Sequence, residues 1–272
     1  MKKLMYITFA LLVVVATAFI CEFTEAKSSI ELSSTSQAEV SSNDLDKFKG
    51  QELHLYVAAG MKKPMDKTIA SFQKLSGAVV LVNYGPSGGL FAQIEQDQPC
   101  DLYYSADWLY IEKIKEIDKL ERSLRFLNDN LVLVVSKGGT ERVKSMQDLI
   151  NPGVSLVIAD AQAPVGVYSD KALNTMGLME NIGNNIKARP STVNQVAIMV
   201  KEDQVDAGLI YSSVANGNDL PIIDVIDEKY TGEIIFGAAI IKGGNIELAE
   251  AFMNFAVKHV KNFEEYGWVR YE

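Results

Sequence analysis

The sequence predicts an α/β protein assembled as two lobes, and three observations lead there. From Glu52 onward short apolar runs alternate with amphipathic stretches, the order that builds largely parallel sheets with helices on their faces. The same grammar opens a second time at Asn130, with "NLVLVVS". The chain has 272 residues, 48% hydrophobic and 22% charged, enough for two cores of ordinary composition. Two lobes with the last segment returning to the first is the economical assembly, and one continuous sheet is the alternative.

In the first run, "LHLYVAA" (53–59) is a strand that leads through Gly60-Met61 into a helix starting near Pro64. Met65, Ile69, Phe72 and Leu75 recur at helical spacing, and Gly77 stops that helix. "AVVLVNY" (78–84) is the next strand and "LFAQIEQD" the next helix. "DLYYSAD" (101–107) is a third strand, with Asp107 placed to cap a helix carrying Trp108, Ile111 and Ile114. In the second run, "VSLVIAD" is a strand, "YSDKALNTMG" a helix with a glycine stop, "STVNQVAIMVKED" a helix capped by Ser191, and "AGLIY" a strand ending at Tyr211. "EIIFGAAII" returns as a strand, and an amphipathic helix from about Glu247 to Phe263 closes the chain.

The N-terminus reads as an export signal. Lys2 and Lys3 precede an apolar run from Leu4 to Ile20, and Thr24-Glu25-Ala26 supplies small residues for cleavage after Ala26. The run is shorter than the roughly 20 residues that a spanning helix prefers, which disfavours a retained anchor. Cys21 is a lipidation site only if the large Ile20 before it is tolerated, so a membrane tether is the minor alternative to a free periplasmic protein. After cleavage Cys100 is the one cysteine left, which excludes an internal disulfide. Residues 27–50 are Ser-rich and aperiodic, as a flexible leader is. A formal net charge of −9 repels a nucleic-acid backbone or an anionic lipid surface.

Gly85-Pro86-Ser87-Gly88-Gly89 satisfies G-x-S-x-G between a predicted strand and a predicted helix, where a hydrolase places its nucleophile. A serine nucleophile needs a histidine base with an orienting acid. His54 lies far upstream inside a strand, and His259 shares a helical stripe with Phe252, Phe255, Ala256 and Phe263, where a core-edge histidine is expected. An exported serine hydrolase using Ser87 therefore stands as a rival and not as the reading. The same turn serves a different chemistry, because a hydroxyl and small-residue amides at a helix N-terminus attract an anion through unpaired N–H groups and the helix dipole. Gly60-Met61, Pro164-Val165-Gly166-Val167 and Thr192-Val193 also precede predicted helices. If these starts converge, they surround one anion without a lysine.

In order and spacing, "LYVAAGMKKPM", "VNYGPSGGLFAQIE" followed by "PCDLYYSAD", "APVGVYSDKAL", and "STVNQVAIMV" with "DAGLIYSS" resemble the molybdate-binding proteins (ModA) that serve ABC importers. The resemblance runs from about residue 52 to nearly the end of the chain. It implies a type II periplasmic-binding-protein fold, two lobes each with a mixed sheet flanked by helices, and an oxyanion of molybdenum or tungsten in the cleft. It implies no catalysis and no cofactor, with molybdate or tungstate and an ABC permease as partners. By position the contacts fall at Gly60, Ser87, Val165, Val193 and Tyr211, with backbone N–H groups serving at Val165 and Val193 and hydroxyls at Ser87 and Tyr211. Familiar members carry serine where this chain has Gly60, and Lys62-Lys63-Pro64 also departs from the commonest pattern. Val165 replaces a frequent alanine and keeps a backbone donor. Lobe 1 is expected over 51–132 and 233–272 and lobe 2 over 133–232, with crossings near Leu131 and Ile234.

Sulfate, phosphate or a ferric complex on the same fold is the nearest rival ligand. Arg189 in the cleft would favour phosphate or an organic anion, and clustered tyrosines with carboxylates would favour iron. Asp101 and Asp107 read as a turn residue and a helix cap, because no metal-ligand spacing accompanies them. Lys62 and Lys63 read as solvated, and Cys100 as inert.

Overall fold

Residues 45–272 are described by the computed structural model. The signal segment 1–26 with Cys21, and residues 27–44 of the leader, lie outside the described residues. The folded chain begins before residue 50, where the leader was expected to end. Leu45 and Phe48 are buried in the core, and Gly50 N–H donates to the carbonyl of Gly77 at 2.9 Å. Two apolar residues three apart on one helical turn are enough to dock this stretch.

Strands β1 (Glu52–Ala58), β2 (Val79–Gly85) and β3 (Leu102–Ser105) alternate with helices α1 (Lys62–Ser76), α2 (Ser87–Glu95) and α3 (Trp108–Glu116). Gly77, at φ 66°, ends α1 in a left-handed conformation that glycine adopts without steric cost. β4 (Leu120–Asp129) follows, and the chain then enters a second sheet with β5 (Leu131–Val135), β6 (Leu156–Val157), β7 (Ile186–Ala188), β8 (Ala207–Tyr211) and β9 (Ile222–Val225). Helices α4 (Pro164–Thr175), α5 (Val193–Lys201) and α6 (Ser212–Gly217) flank that sheet. β10 (Ile234–Ile241), α7 (Ile246–Lys258), a short helix Lys261–Glu264 and β11 (Val269–Arg270) complete the chain.

The strands form two sheets, ordered β11-β4-β10-β3-β1-β2 and β7-β6-β8-β5-β9, so a single continuous sheet is excluded. Both are mixed and not largely parallel. β1 runs parallel to β2 and β3 while β10 is antiparallel to β3 and β4, and β6 runs parallel to β7 and β8 while β5 is antiparallel to β8 and β9. The chain passes from the first sheet to the second at Asn130 and returns between Val225 and Ile234. We propose the lobe boundaries near these two passages.

Other expectations need correction. β4 was not anticipated, because Glu121, Arg122 and Arg125 break its apolar pattern and face outward along the strand. "VSLVIAD" contributes only Leu156–Val157 to a ladder, with an irregular register to β7. Thr192, and not Ser191, caps α5. Its hydroxyl accepts from Gln195 N–H at 3.3 Å while the Gln195 side chain accepts from Thr192 N–H at 3.1 Å, a reciprocal box that needs a three-residue spacing. The terminal helix breaks after Lys258, where His259 stacks on Phe255 at 3.9 Å and its Nδ1 lies 2.9 Å from the Phe255 carbonyl. Phe72 of α1 meets Phe252 and Phe255 of α7 edge-to-face at 5.0 and 5.3 Å, which fixes the returning segment against the first lobe.

At the first passage sits Asp129, 6% exposed. Its carboxylate accepts from Asn130 N–H (2.7 Å), Ser212 Oγ (2.6 Å) and Ser213 Oγ, and so holds the start of α6. Burial pushes its pKa up from 3.8 to about 6, against the opposing pull of these donors. A carboxyl raised on folding binds more protons in the native than in the unfolded state between those two values, so its contribution falls as pH rises through that window and is least favourable above about 6. Asp129→Asn keeps an acceptor and removes the buried charge. Thermal melting should therefore show the variant gaining on the wild type from about pH 4.5 to about pH 8; a pH-independent difference would remove this role from Asp129.

Candidate anion site

The carboxyl ends of β1, β2 and β3 and the starts of α4 and α5 meet the end of β8 around one small cavity. Its wall includes Ala59, Gly60, Pro86, Ser87, Ala106, Pro164, Val165, Thr192, Val193 and Tyr211, and its volume is ≈ 20 Å³. A single water needs about 10–15 Å³ by this measure, so the space suits a compact species of a few atoms and not an organic solute. All five residues singled out by position, Gly60, Ser87, Val165, Val193 and Tyr211, line it. Pro86 and Thr192 belong to helix starts named above without a contact role, and Ala59 and Ala106 were not singled out. Their signal was positional, because each adjoins a strand's carboxyl end or a helix start, where open α/β sheets place ligands.

The helix starts explain the electrostatics. Pro86 at the N-cap of α2 and Ala163 at that of α4 supply no side-chain cap, whereas Asp107 caps α3 by accepting from Leu109 N–H at 2.8 Å. Alanine in place of a capping residue ordinarily costs about 0.5–2 kcal/mol, and the amides of an uncapped first turn stay available to an external acceptor. At α5 the Thr192 cap takes only the Gln195 amide, which leaves Val193 N–H at the cavity wall. Among the described residues no Lys, Arg, Asp or Glu lines this cavity.

Ala106 ties the two hydroxyls together. Its N–H donates to Ser87 Oγ at 3.1 Å, which satisfies one acceptor site on that oxygen and leaves the Ser87 O–H to donate. Its carbonyl accepts from Tyr211 Oη at 3.4 Å, a long contact from the other lobe. Ser87 is 1% exposed and is held from below by Tyr103 Oη, which donates to the Ser87 carbonyl at 2.9 Å. Burial, reinforced by Tyr168 and Asp107, drives the Tyr211 phenol far above its usual pKa, so it remains a neutral donor.

The rival features fall outside the cavity. Arg189 makes a two-pronged ion pair with Asp170, at 2.8 and 3.0 Å. Lys62 pairs with Asp66 at 2.8 Å, and Lys63 donates to the Gly217 carbonyl beside a neighbouring groove. Asp101 accepts from the amides of His54 (2.6 Å) and Asn245 (2.8 Å), a structural use. Cys100 is buried and its thiol is pushed up by burial. Neither histidine reaches Ser87, since His54 lines a different hollow and His259 is engaged with Phe255. Among the described residues Ser87 therefore has no histidine base, and its surroundings suit anion capture better than acyl transfer.

The family model described as "Bacterial extracellular solute-binding protein" matches residues 53–269. The chain belongs to this family. Membership makes it a solute-binding protein and not an enzyme. It is 24% identical over 229 residues to the molybdate-binding protein ModA of Escherichia coli (strain K12), covering 80% of this chain and 88% of that one. It is 25% identical over 230 residues to a putative ABC transporter substrate-binding lipoprotein, YvgL, of Bacillus subtilis (strain 168), covering 82% and 88%. The periplasmic molybdate-binding protein of Azotobacter vinelandii superposes with a TM-score of 0.72 at 21% identity, covering 81% of this chain and 100% of that one. That likeness establishes the fold.

Asp107 stands behind the cavity wall and its charge acts on Tyr211. Burial raises its pKa, opposed by the Leu109 amide, Tyr168 and two lysines, and its charge reaches Tyr211. A buried carboxylate near an anion is repulsive, so anion binding by the wild type should strengthen as pH falls and Asp107 takes up a proton. Asp107→Asn, which retains capping capacity, should bind an oxyanion about three- to tenfold more tightly at pH near 8 and lose that pH dependence. Titration calorimetry at two pH values reads both effects; equal slopes for the two proteins would dismiss the field.

Proposed function

We propose that this protein captures molybdate or tungstate in the cavity at Ser87 and delivers it to the permease of an ABC importer. The observation that carries the reading is the pairing of uncapped helix starts from two lobes with a Ser87 hydroxyl already oriented by Ala106 N–H. Amide dipoles and neutral hydroxyls hold a compact anion in a small cavity, with each first turn contributing up to about 2 kcal/mol when partly buried. The relatives named for molybdate binding, the cavity volume and the wall free of charged side chains support it.

The site residues in this proposal are Gly60, Ser87, Val165, Val193 and Tyr211. Ser87 and Tyr211 donate through hydroxyls, Val165 and Val193 through backbone N–H, and Gly60 offers backbone only. The protein acts after export, in the periplasm or, if Cys21 is lipidated, tethered to the membrane. A ferric complex fits less well, because among the described residues Tyr211 is the one tyrosine in the wall and no carboxylate joins it. Sulfate and phosphate share the same donors and differ from molybdate in size.

Titration with molybdate, tungstate, sulfate and phosphate in one buffer should show one-to-one binding of the first two and weak binding of the others. Ser87→Ala should weaken molybdate binding by about 10- to 100-fold, the range for a hydrogen bond to a charged group, and lower the melting temperature of the ligand-free protein by a few degrees, because the buried Ala106 N–H loses its acceptor. No heat with any of the four anions would remove the ligand assignment.

A further inference from the structure

Helix α5 opens beside the cavity with a first turn that its own side chains hold in place. Thr192 and Gln195 bond each other reciprocally, so Asn194, the second residue of the helix, projects from a fixed turn. Its half-buried side-chain amide donates to the Ala59 carbonyl at 2.7 Å. Ala59 follows β1 of the first sheet, whereas α5 flanks the second, so this bond joins one lobe to the other. Each partner adjoins a residue of the cavity wall, since Gly60 follows Ala59 and Val193 precedes Asn194. Asn194 itself stands in the wall of a neighbouring groove of ≈ 250 Å³, which Gly60 also lines. The bond therefore fixes how far Gly60 lies from the Val193 amide, and it does so from outside the cavity.

The partners also make the bond reversible. The Ala59 carbonyl accepts in addition from Lys62 N–H, which closes a single helical turn, and so keeps a partner when the Asn194 amide departs. The half-exposed amide exchanges the carbonyl for water. Neither group is left buried and unpaired on separation, so the bond contributes as one neutral hydrogen bond and favours contact without locking it. Other polar contacts cross nearby by different means. Gly88 N–H reaches the Gln162 carbonyl at 3.0 Å through backbone alone, Tyr211 Oη reaches the Ala106 carbonyl at 3.4 Å as a site hydroxyl, and Lys63 reaches the Gly217 carbonyl as an exposed ammonium on a flexible stem. Asn194 combines a short bond, a short side chain and a place outside the cavity wall.

We propose that Asn194 is a positioning residue that latches the closed arrangement, and that its bond to Ala59 lengthens the residence of an anion it does not touch. While the bond holds, the Val193 amide stays in place against the backbone at Gly60, and a solute held from both lobes leaves as they part. Entry is little affected, because the bond forms only as the lobes meet. This deepens the oxyanion reading and rests on it only for the identity of the ligand.

Asn194→Leu is near-isosteric, removes the donor and places a better helix former in α5, so it should keep a cooperative ligand-free melt. Should it not, Asn194→Ala replaces it with the same expectations. Radiolabelled molybdate, chased with unlabelled molybdate, should leave the variant about three- to tenfold faster than the parent, the range of one neutral hydrogen bond, with the association rate within about twofold. Nitroxide labels at Leu109→Cys and Val167→Cys, exposed positions on α3 and α4, report the spacing of the lobes in the exported chain with Cys21→Ser; Cys100 is buried and stays unlabelled. Distance distributions of the labelled parent should contain a short population that grows with molybdate, and Asn194→Leu should diminish it both with and without the anion. An unchanged dissociation rate, a loss of affinity carried by association alone, or a variant that keeps the parent's distances overturns the proposal, as does a parent with no short population under either condition. A parent that binds no molybdate defeats the molybdate reading alone. The ligand-free distributions then decide the latch, which stands if the variant has the smaller short population and falls if the two are equal.

Discussion

A helix can offer its first-turn amides to a solute only if nothing in the protein already caps them. Ala163 supplies no side-chain cap to α4, Pro86 supplies none to α2 although the Gln162 carbonyl takes its Gly88 N–H, Thr192 leaves a third start partly open, and the cavity lies where these meet. The parallel strand-to-helix connections of each sheet bring this about, because a strand that runs toward the cleft delivers its following helix there by the N-terminus. The local instability of an uncapped turn is offset when an acceptor arrives, which couples the stability of these turns to ligand occupancy. No cationic side chain is needed, and a net charge of −9 is compatible with binding an anion.

The peptide of Ala106 joins that local chemistry to the two-lobed architecture. Its N–H orients Ser87 within the first lobe, and its carbonyl receives Tyr211 from the second. Tyr211 is followed at once by α6, whose start is held by Asp129 at the passage between the sheets. One short, hydrogen-bonded segment thus links that passage to the Tyr211 hydroxyl at the cavity wall. In the proposed reading, residues of both lobes touch the solute, and a two-lobed receptor gains affinity from both halves only when both are engaged.

Legibility in the sequence followed the strength of local signals. β1, β2, β3, β5, β8 and β10 were readable because each is an apolar run bounded by turn residues, and α1 because its apolar positions recur at helical spacing. β4 was not, because charged residues in its exposed first half hide the apolar pattern that its buried end keeps. The cap at Thr192 was misplaced by one residue, since Ser191 and Thr192 are both capable and only the reach to Gln195 decides between them. The G-x-S-x-G turn was ambiguous by itself, and the histidine count leaned it toward anion chemistry. Ala106 was invisible, because an alanine backbone carries no side-chain signal.

Composition, apolar period and turn residues by themselves determined the α/β class, the order of most elements and the set of glycine- and hydroxyl-bearing helix starts, since these depend on contacts within about one helical turn. Tertiary structure alone decided that the starts share one cavity, that the strands divide between two mixed sheets, and that Arg189 and both histidines stand apart from Ser87. Those outcomes depend on pairings between residues far apart in the chain, such as Ser87 with Ala106 or Gly88 with Gln162, whose geometry no local pattern encodes.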